Sequence, residues 1–112
     1  MLLPNAERAF IETRKLAEYS LDPTHPVGRH KAVVFRSALG FTAKNVGALR
    51  DLLLRAVLIH DAVLGRLDEF GQRYIVDFPV TTSVGTATIR SAWIVRPGED
   101  FPRLTTCFVL AD

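Results

Sequence analysis

Cysteine is almost absent from this sequence. The 112 residues include one cysteine, Cys107, which cannot form a disulfide bond within the chain. The three histidines are scattered and show none of the cysteine and histidine spacings that form a zinc site. The glycines form neither a phosphate-binding loop nor a dinucleotide fingerprint. We therefore expect no disulfide, no metal and no cofactor, and no cysteine nucleophile, since no sequence feature near Cys107 would lower a thiol pKa.

Long apolar runs are also missing. No segment approaches the ~20 residues that a membrane span needs, and the first residues lack the basic and apolar regions of a signal peptide. Hydrophobic residues still make up 48% of the chain, which is typical of a globular protein with a core. These features predict a single domain over residues 1–112, a cytoplasmic location and no membrane partner.

Acidic residues are absent from one long segment. The net charge of +2 is too small to indicate nucleic-acid binding by itself. Between His25 and Arg50, however, there is no aspartate or glutamate, and Arg29, Lys31, Arg36 and Lys44 precede Arg50 in the same segment. This local surplus of positive charge suits a polyanion such as RNA. The simpler alternative is a solvated face shared by two helices.

Three segments with helical spacing fill the first half of the chain. The stretch ETRKLAEYSL predicts a short helix with Thr13 as its N-cap, ended by the proline that follows. A second helix is expected from residue 28 or 29 to residue 39, with Gly40 as a left-handed C-cap. Thr42 is expected to cap a third helix whose apolar stripe continues to about His60.

The second half changes to the alternation of β-strands. Four strands fit, at Ala62 to Leu67, Gln72 to Val80, Thr86 to Arg96 and Arg103 to Leu110. Each connection is short enough for an antiparallel hairpin. Helices followed by strands predict an α+β domain, in which about three N-terminal helices pack on a four-stranded antiparallel meander sheet.

Alternation also assigns the residues of the last strand to faces of the sheet. It places Thr106 on the core face with Leu104 and Phe108, and Cys107 on the reverse face. A one-residue bulge would exchange these assignments. The reverse face of the third strand carries Arg90, so that side of the sheet is half polar and available to solvent or to a ligand.

The stretch LDPTHPVGRHK carries the most distinctive chemistry. Prolines on both sides of His25 make this loop stiff, and Gly28 lets the chain turn into the second helix. Lys31 then falls in the first helical turn, where free backbone N–H groups favour an anion such as phosphate. A histidine and a lysine in this position suit phosphodiester chemistry, with His25 as general acid or base. The alternative is that His25 caps a backbone group in an ordinary loop.

Each of the other candidate functional residues gives weaker evidence by itself. Trp93 fits a core anchor better than a base-stacking residue, and Tyr74 is similar. Arg103 opens the last strand, where its guanidinium can clamp a phosphate or form an exposed ion pair with Glu99 or Asp100. Thr106 is a good β-former that needs no functional reason. The candidate substrate-binding residues are Arg29, Tyr74, Arg90 and Trp93.

The sequence resembles a group of small bacterial proteins that consist of a domain of unknown function. The matching motifs are DPTHPVG, KAVVF, LGF, GQRY, the strand with Trp93, and RLTT, so the resemblance covers nearly the whole chain. The same pattern is similar to the C-terminal toxin domain of contact-dependent growth inhibition proteins. Those domains belong to the barnase, EndoU, colicin and RelE-like (BECR) group of metal-independent ribonucleases.

The resemblance implies a BECR-like fold and a ribonuclease that cleaves transfer RNA without metal. It also implies catalytic roles for His25, Lys31, Arg103 and Thr106, which match the toxin motif, and a cognate antitoxin or immunity protein as partner. Two other hypotheses stay open: a non-catalytic interaction protein, such as the partner half of a toxin–antitoxin pair, and an RNA-binding module without catalysis. Near-zero net charge favours the former, and the charged sheet face favours the latter.

Overall fold

The computed structural model describes residues 1–110, and its helices all precede its strands. Helix α1 spans Thr13–Lys15 and continues directly as a π-helical turn over Leu16–Ser20. Helix α2 spans Arg29–Leu39 and helix α3 spans Val46–Ile59. Single 3₁₀ turns lie at Ala6–Arg8 and Ala43–Asn45.

The ends of the helices follow the local chemistry of the chain. Gly40 ends α2 in the left-handed conformation, with φ of 77°, as predicted. Thr42 begins the turn that leads into α3: its Oγ1 accepts the Lys44 N–H at 3.3 Å, and its own N–H donates to Asn45 Oδ1 at 2.6 Å. The prediction for α1 was wrong in one respect, because Glu12 occupies the N-cap position and Thr13 is the first helical residue. Neither of those side chains caps the helix.

The strands form one antiparallel meander in the order β1-β2-β3-β4. Strand β1 spans Ala62–Asp68, β2 spans Gly71–Thr81, β3 spans Thr86–Val95 and β4 spans Arg103–Val109. Each boundary lies within one residue of its predicted position. The α+β class with N-terminal helices on a four-stranded antiparallel sheet is confirmed.

The helices cover one face of the sheet and enclose the core. Trp93, Phe78 and Val76 come from the sheet, and Phe35 and Leu53 come from α2 and α3; all five are almost completely inaccessible to solvent. Removing so many apolar side chains from water is the main stabilising contribution, at about 1.5–3 kcal/mol for each large residue. The core also holds a satisfied polar chain, in which the Trp93 indole donates to the Ser91 hydroxyl at 2.9 Å and that hydroxyl donates to the Val76 carbonyl at 2.7 Å.

A bulge in β4 overturns the face assignment that alternation predicted for this strand. Thr106 pairs with Ala92 and Leu104 pairs with Trp93, so no residue of β3 lies opposite Thr105 in the strand register. Cys107 is consequently buried on the core face, and Thr106 is only partly buried. The extra residue turns the side chain of Thr106 out of the core and toward α2.

The segment before α1 is bound to the free edge of β4. Phe10 donates its N–H to the Pro102 carbonyl at 2.9 Å and accepts the Leu104 N–H at 3.0 Å, which forms a parallel bridge. This segment therefore closes one side of the space between α2 and β4. Across residues 1–110, no helix has the length and apolar character needed to cross a membrane.

Candidate functional site

A pocket of about 880 Å³ lies where the N-terminal segment, the histidine loop, the start of α2 and strand β4 meet. The four residues named by the motif resemblance, His25, Lys31, Arg103 and Thr106, all line it. Lys31 and Thr106 are 75 positions apart in sequence, so the fold rather than local sequence brings them together.

The histidine loop is held by its own hydrogen bonds. The Asp22 carboxylate accepts the Thr24 N–H at 2.8 Å and the Thr24 hydroxyl at 2.6 Å. These bonds from Thr24 hold the pKa of Asp22 below its ordinary value. Asp22 thus remains ionised and is committed to shaping the loop.

The ring of His25 is fixed in one orientation and one tautomer. Its Nδ1 accepts backbone N–H groups from Val27 and Gly28, both at 3.0 Å. With Nδ1 serving as acceptor, the single proton of the neutral ring lies on Nε2. The ring also packs edge-on against Tyr19, with centroids 4.7 Å apart. His25 therefore does cap the backbone, and Nε2–H remains as a hydrogen-bond donor.

Of the two roles that the sequence suggests for His25, general acid and general base, this arrangement disfavours the second. A general base needs a free lone pair on the nitrogen that faces the substrate, and here the lone pair is on Nδ1 and is occupied by two N–H groups. The geometry favours a hydrogen-bond donor to an anionic oxygen instead.

Gly28 permits the close approach of the histidine loop to the π-helical turn. A Cβ at this position would overlap the carbonyl oxygen of Tyr19. Only glycine allows the loop to lie this close, so Gly28 sets the position of both the Tyr19 and the His25 rings.

Lys31 is the central cation of the pocket. Its Nζ donates to Thr106 Oγ1 at 3.3 Å and lies 4.9 Å from the centroid of the Phe108 ring and 5.7 Å from that of Tyr19. Among residues 1–110, no carboxylate lies within ion-pair distance of this ammonium group. Lys31 is thus a partly buried ammonium group that its neighbours hold in place.

Arg103 is held rigidly at the other end of the pocket. Its Nε and Nη2 donate to the two oxygens of Glu99 at 2.9 and 2.8 Å, and its guanidinium lies between the rings of Phe10 and Phe101. The hydrogen bond from Arg103 lowers the pKa of Glu99. One edge of the guanidinium is thus used by Glu99, and Nη1 has no protein partner within the described chain.

Within residues 1–110, three carboxylates line the pocket, and they differ in how strongly they are engaged. Asp22 is bonded to Thr24, and Glu18 accepts the Arg14 Nε through both oxygens at 3.2 and 3.1 Å. Glu12 makes only a loose ion pair with Lys15, at 3.8 Å. Glu12 is therefore the least engaged of these carboxylates.

The four candidate substrate-binding residues do not line this pocket. Trp93 and Tyr74 are core residues, as their alternation favoured. Arg90 points away from the core and donates to both oxygens of Asp77, at 2.9 and 2.8 Å. Arg29 is the exposed first residue of α2, and its Nη1 donates to the Pro26 carbonyl at 3.4 Å.

The described residues support neither a cysteine nucleophile nor a metal-binding cluster. Burial raises the pKa of Cys107 to about 12, so the thiol stays protonated at neutral pH. No cluster of three histidine, cysteine, aspartate or glutamate side chains suited to a metal ion occurs between residues 1 and 110.

The comparison with protein families gives one match, to a domain of unknown function, DUF6883, over residues 2–111. The chain belongs to this family. No curated protein and no solved structure matches it. The pocket described above is the candidate site of this DUF6883 domain.

Sequence reasoning missed three residues of the DUF6883 pocket. Tyr19, Phe10 and Glu12 line the pocket but were not among the candidates from sequence. Tyr19 carried one usable signal, because it lies just before the stiff histidine loop. Phe10 reaches the pocket through its bridge to β4, across more than ninety residues, and no local pattern encodes that contact.

Proposed function

We propose that this DUF6883 domain is a metal-independent endoribonuclease that binds an RNA phosphodiester between α2 and β4. The observation that carries the proposal is Lys31, a partly buried ammonium group oriented by Thr106 and by aromatic rings but without a carboxylate partner in the described chain. Such a group favours an anion from solution, and the positive end of the α2 helix dipole has the same polarity.

The other pocket residues complete a phosphate site. The Nε2–H of His25 offers a neutral donor to a second non-bridging oxygen, and Arg103 offers a guanidinium edge at the far end. Tyr19 and Phe10 supply ring faces on which the flanking bases can stack. Cations and aromatic rings in one pocket are typical of binding to single-stranded RNA.

In the proposed cleavage reaction, one pocket residue accepts a proton and another donates one. The ribose 2′ oxygen attacks phosphorus while its proton passes to Glu12, the least engaged carboxylate of the pocket. Lys31 and His25 Nε2–H stabilise the charge on the non-bridging oxygens. The bond to the 5′ oxygen breaks, and Lys31 gives that oxygen a proton. The products are a 2′,3′-cyclic phosphate and a free 5′ hydroxyl.

The resemblance to growth inhibition toxin domains narrows the proposal further. It supports transfer RNA as the substrate, the cytoplasm as the place of action and a neutralising antitoxin or immunity protein as the partner. These assignments rest on the motifs from DPTHPVG to RLTT.

The test is incubation of the purified chain with total bacterial RNA and with transfer RNA in EDTA, followed by gel and end-group analysis. We expect discrete fragments with 2′,3′-cyclic phosphate ends. Lys31→Met should lower the cleavage rate by about 100-fold, since removing one donor to a transition-state oxyanion has effects of this size. Glu12→Gln should also lose cleavage while still binding RNA.

Lys44→Met is the matched control, because it removes the same charge from the same basic segment but lies outside the pocket. Its cleavage rate should equal that of the unmodified chain. Equal rates for Lys31→Met and the unmodified chain would contradict the proposed site. Salt-dependent RNA binding without fragments would favour the RNA-binding module, a reading that the occupied Nδ1 of His25 supports.

A further inference from the structure

A second hollow, of about 730 Å³, lies on the other side of α2. Its floor and walls are apolar and come from the chain before the histidine loop, from α2 and from the α2–α3 connection. They comprise Leu21, Pro23, Ala32, Val33, Phe41 and Ala43. Successive residues of a helix are about 100° apart, so Val33 lies about 200° around α2 from Lys31. We call this hollow the apolar groove.

The polar side chains of the apolar groove are already used inside the chain. The Ser37 hydroxyl donates to the Val34 carbonyl at 3.4 Å, and Thr42 Oγ1 accepts the Lys44 N–H at 3.3 Å. Val33, in contrast, is 53% exposed. An occupant therefore gains by burying apolar surface in the groove and finds few uncharged polar atoms there to recognise.

Two cations stand at the rim of the groove. Arg36 and Lys44 line it, and neither has a carboxylate within ion-pair distance in residues 1–110. None of the acidic residues between positions 1 and 110 lines the groove, and the sequence from His25 to Arg50 contains none. The charge complement of this surface is an occupant with carboxylates on either side of an apolar ridge.

We propose that the apolar groove binds an acidic amphipathic segment of a partner protein. Leucine- or phenylalanine-type side chains at helical spacing would fill the groove, and carboxylates beside them would pair with Arg36 and Lys44. RNA fits less well, because bases stack on exposed rings and the one aromatic residue of the groove, Phe41, is only 7% exposed. The proposal does not depend on ribonuclease activity.

The test selects peptides from a displayed random dodecapeptide library on the immobilised chain, and measures their affinity by fluorescence anisotropy without RNA. We expect enrichment of peptides that combine two or more acidic residues with large apolar residues three or four positions apart. Arg36→Glu should weaken their binding by about 10-fold or more, since it turns a charge attraction into a repulsion. Val33→Asp should also weaken the binding of the same acidic peptides, because it places a negative charge in the apolar groove.

Arg55→Glu, an exposed arginine of α3 outside the groove, is the matched control and should bind the peptides as the unmodified chain does. Thermal unfolding of each variant shows whether the fold is retained. Enrichment of peptides without acidic residues, or equal binding to Arg36→Glu and Arg55→Glu, would overturn the proposal. Two other results would also overturn it. One is loss of RNA binding in Arg36→Glu when the library yields no enriched peptide. The other is a concentration-dependent dimer of the unmodified chain that Val33→Asp abolishes.

Discussion

The two hollows on either side of α2 share a helix and a positive charge but differ in what surrounds that charge. On one side, Lys31 is bonded to Thr106 and lies near two aromatic rings, among groups that retain unused donors. On the other side, Arg36 and Lys44 stand at the edge of an aliphatic surface whose other polar groups are used internally.

The difference shows how one basic segment can serve two purposes. The acid-free stretch from His25 to Arg50 looked like a single surface for a polyanion. The helical period instead sends Lys31 to the pocket and Arg36 to the groove, so the charge is divided between two surfaces. Neighbouring groups, rather than the number of cations, decide which partner each surface suits.

On the pocket side, the largest effect on stability is expected from Gly28→Ala. The added Cβ would collide with the Tyr19 carbonyl, so the loop and the π-helical turn must move apart. We expect a loss of about 1–3 kcal/mol in the free energy of unfolding, measured in urea, because overpacking of a tight contact has this effect. RNA cleavage should fall with it, since the Tyr19 and His25 rings are displaced.

Gly47→Ala is the matched control for this substitution. Gly47 lies in α3, where an added Cβ would have no neighbour within 4 Å. Replacing it should stabilise the chain by about 0.4–1 kcal/mol, because alanine loses less backbone entropy in a helix. If the two variants showed the same change in stability, the close contact at Gly28 would not be what positions the loop.

Thr106→Val should have a smaller effect, and one that separates the pocket from the apolar groove. It keeps the shape of the side chain but removes the acceptor that orients Lys31. A hydrogen bond of this kind contributes about 1 kcal/mol, so cleavage should fall by roughly 5-fold, measured as kcat/KM on a defined RNA. Peptide binding in the apolar groove should be unchanged.

The neighbouring threonine provides the control. Thr105 also makes one hydrogen bond, from Oγ1 to the Ala92 carbonyl at 3.0 Å, but its partner is the sheet backbone. Thr105→Val should therefore leave cleavage within about 2-fold of the unmodified chain. A larger effect from Thr105 than from Thr106 would show that the bulge geometry, and not the bond to Lys31, matters for activity.

Most of the fold could be predicted from the sequence because its signals are local. Gly40 after an apolar stripe ends α2, Thr42 begins the next helical segment, and short turns separate alternating strands. The bulge at Thr105 could not be located in this way, since it depends on which residues of β3 oppose it. One unpaired residue was enough to move Cys107 into the core and Thr106 toward α2.

The candidate site was predicted in part. Motif resemblance named His25, Lys31, Arg103 and Thr106, and the fold places them around one pocket. Alternation could not distinguish Arg103 from Arg90, because both are strand arginines bonded to a carboxylate through two nitrogens. Only the tertiary structure shows that the former lies between two aromatic rings and lines the pocket.

The smallest predicted effect is that of acid on stability. It should act on the pocket side, because no carboxylate of the described part of the chain lines the groove. Arg103 lowers the pKa of Glu99 from its ordinary value of 4.5. A carboxylate with a lowered folded-state pKa stabilises the fold above its unfolded-state value, and that contribution is lost as the pH falls through the folded-state value. The stability difference between the unmodified chain and Glu99→Gln should therefore be constant from pH 7 down to about 5 and shrink below that.

Urea unfolding of both chains across this pH range measures the difference directly. Glu69→Gln removes a carboxylate that makes no ion pair within the described residues, and it gives the baseline for losing a turn carboxylate. The effect should be modest, because the Arg103–Glu99 pair is partly open to solvent and such pairs are weakened by screening. If the difference grew instead as the pH fell, the bond to Arg103 would not be the cause of the lowered pKa, and Glu99 would not be the group that holds Arg103 at the pocket.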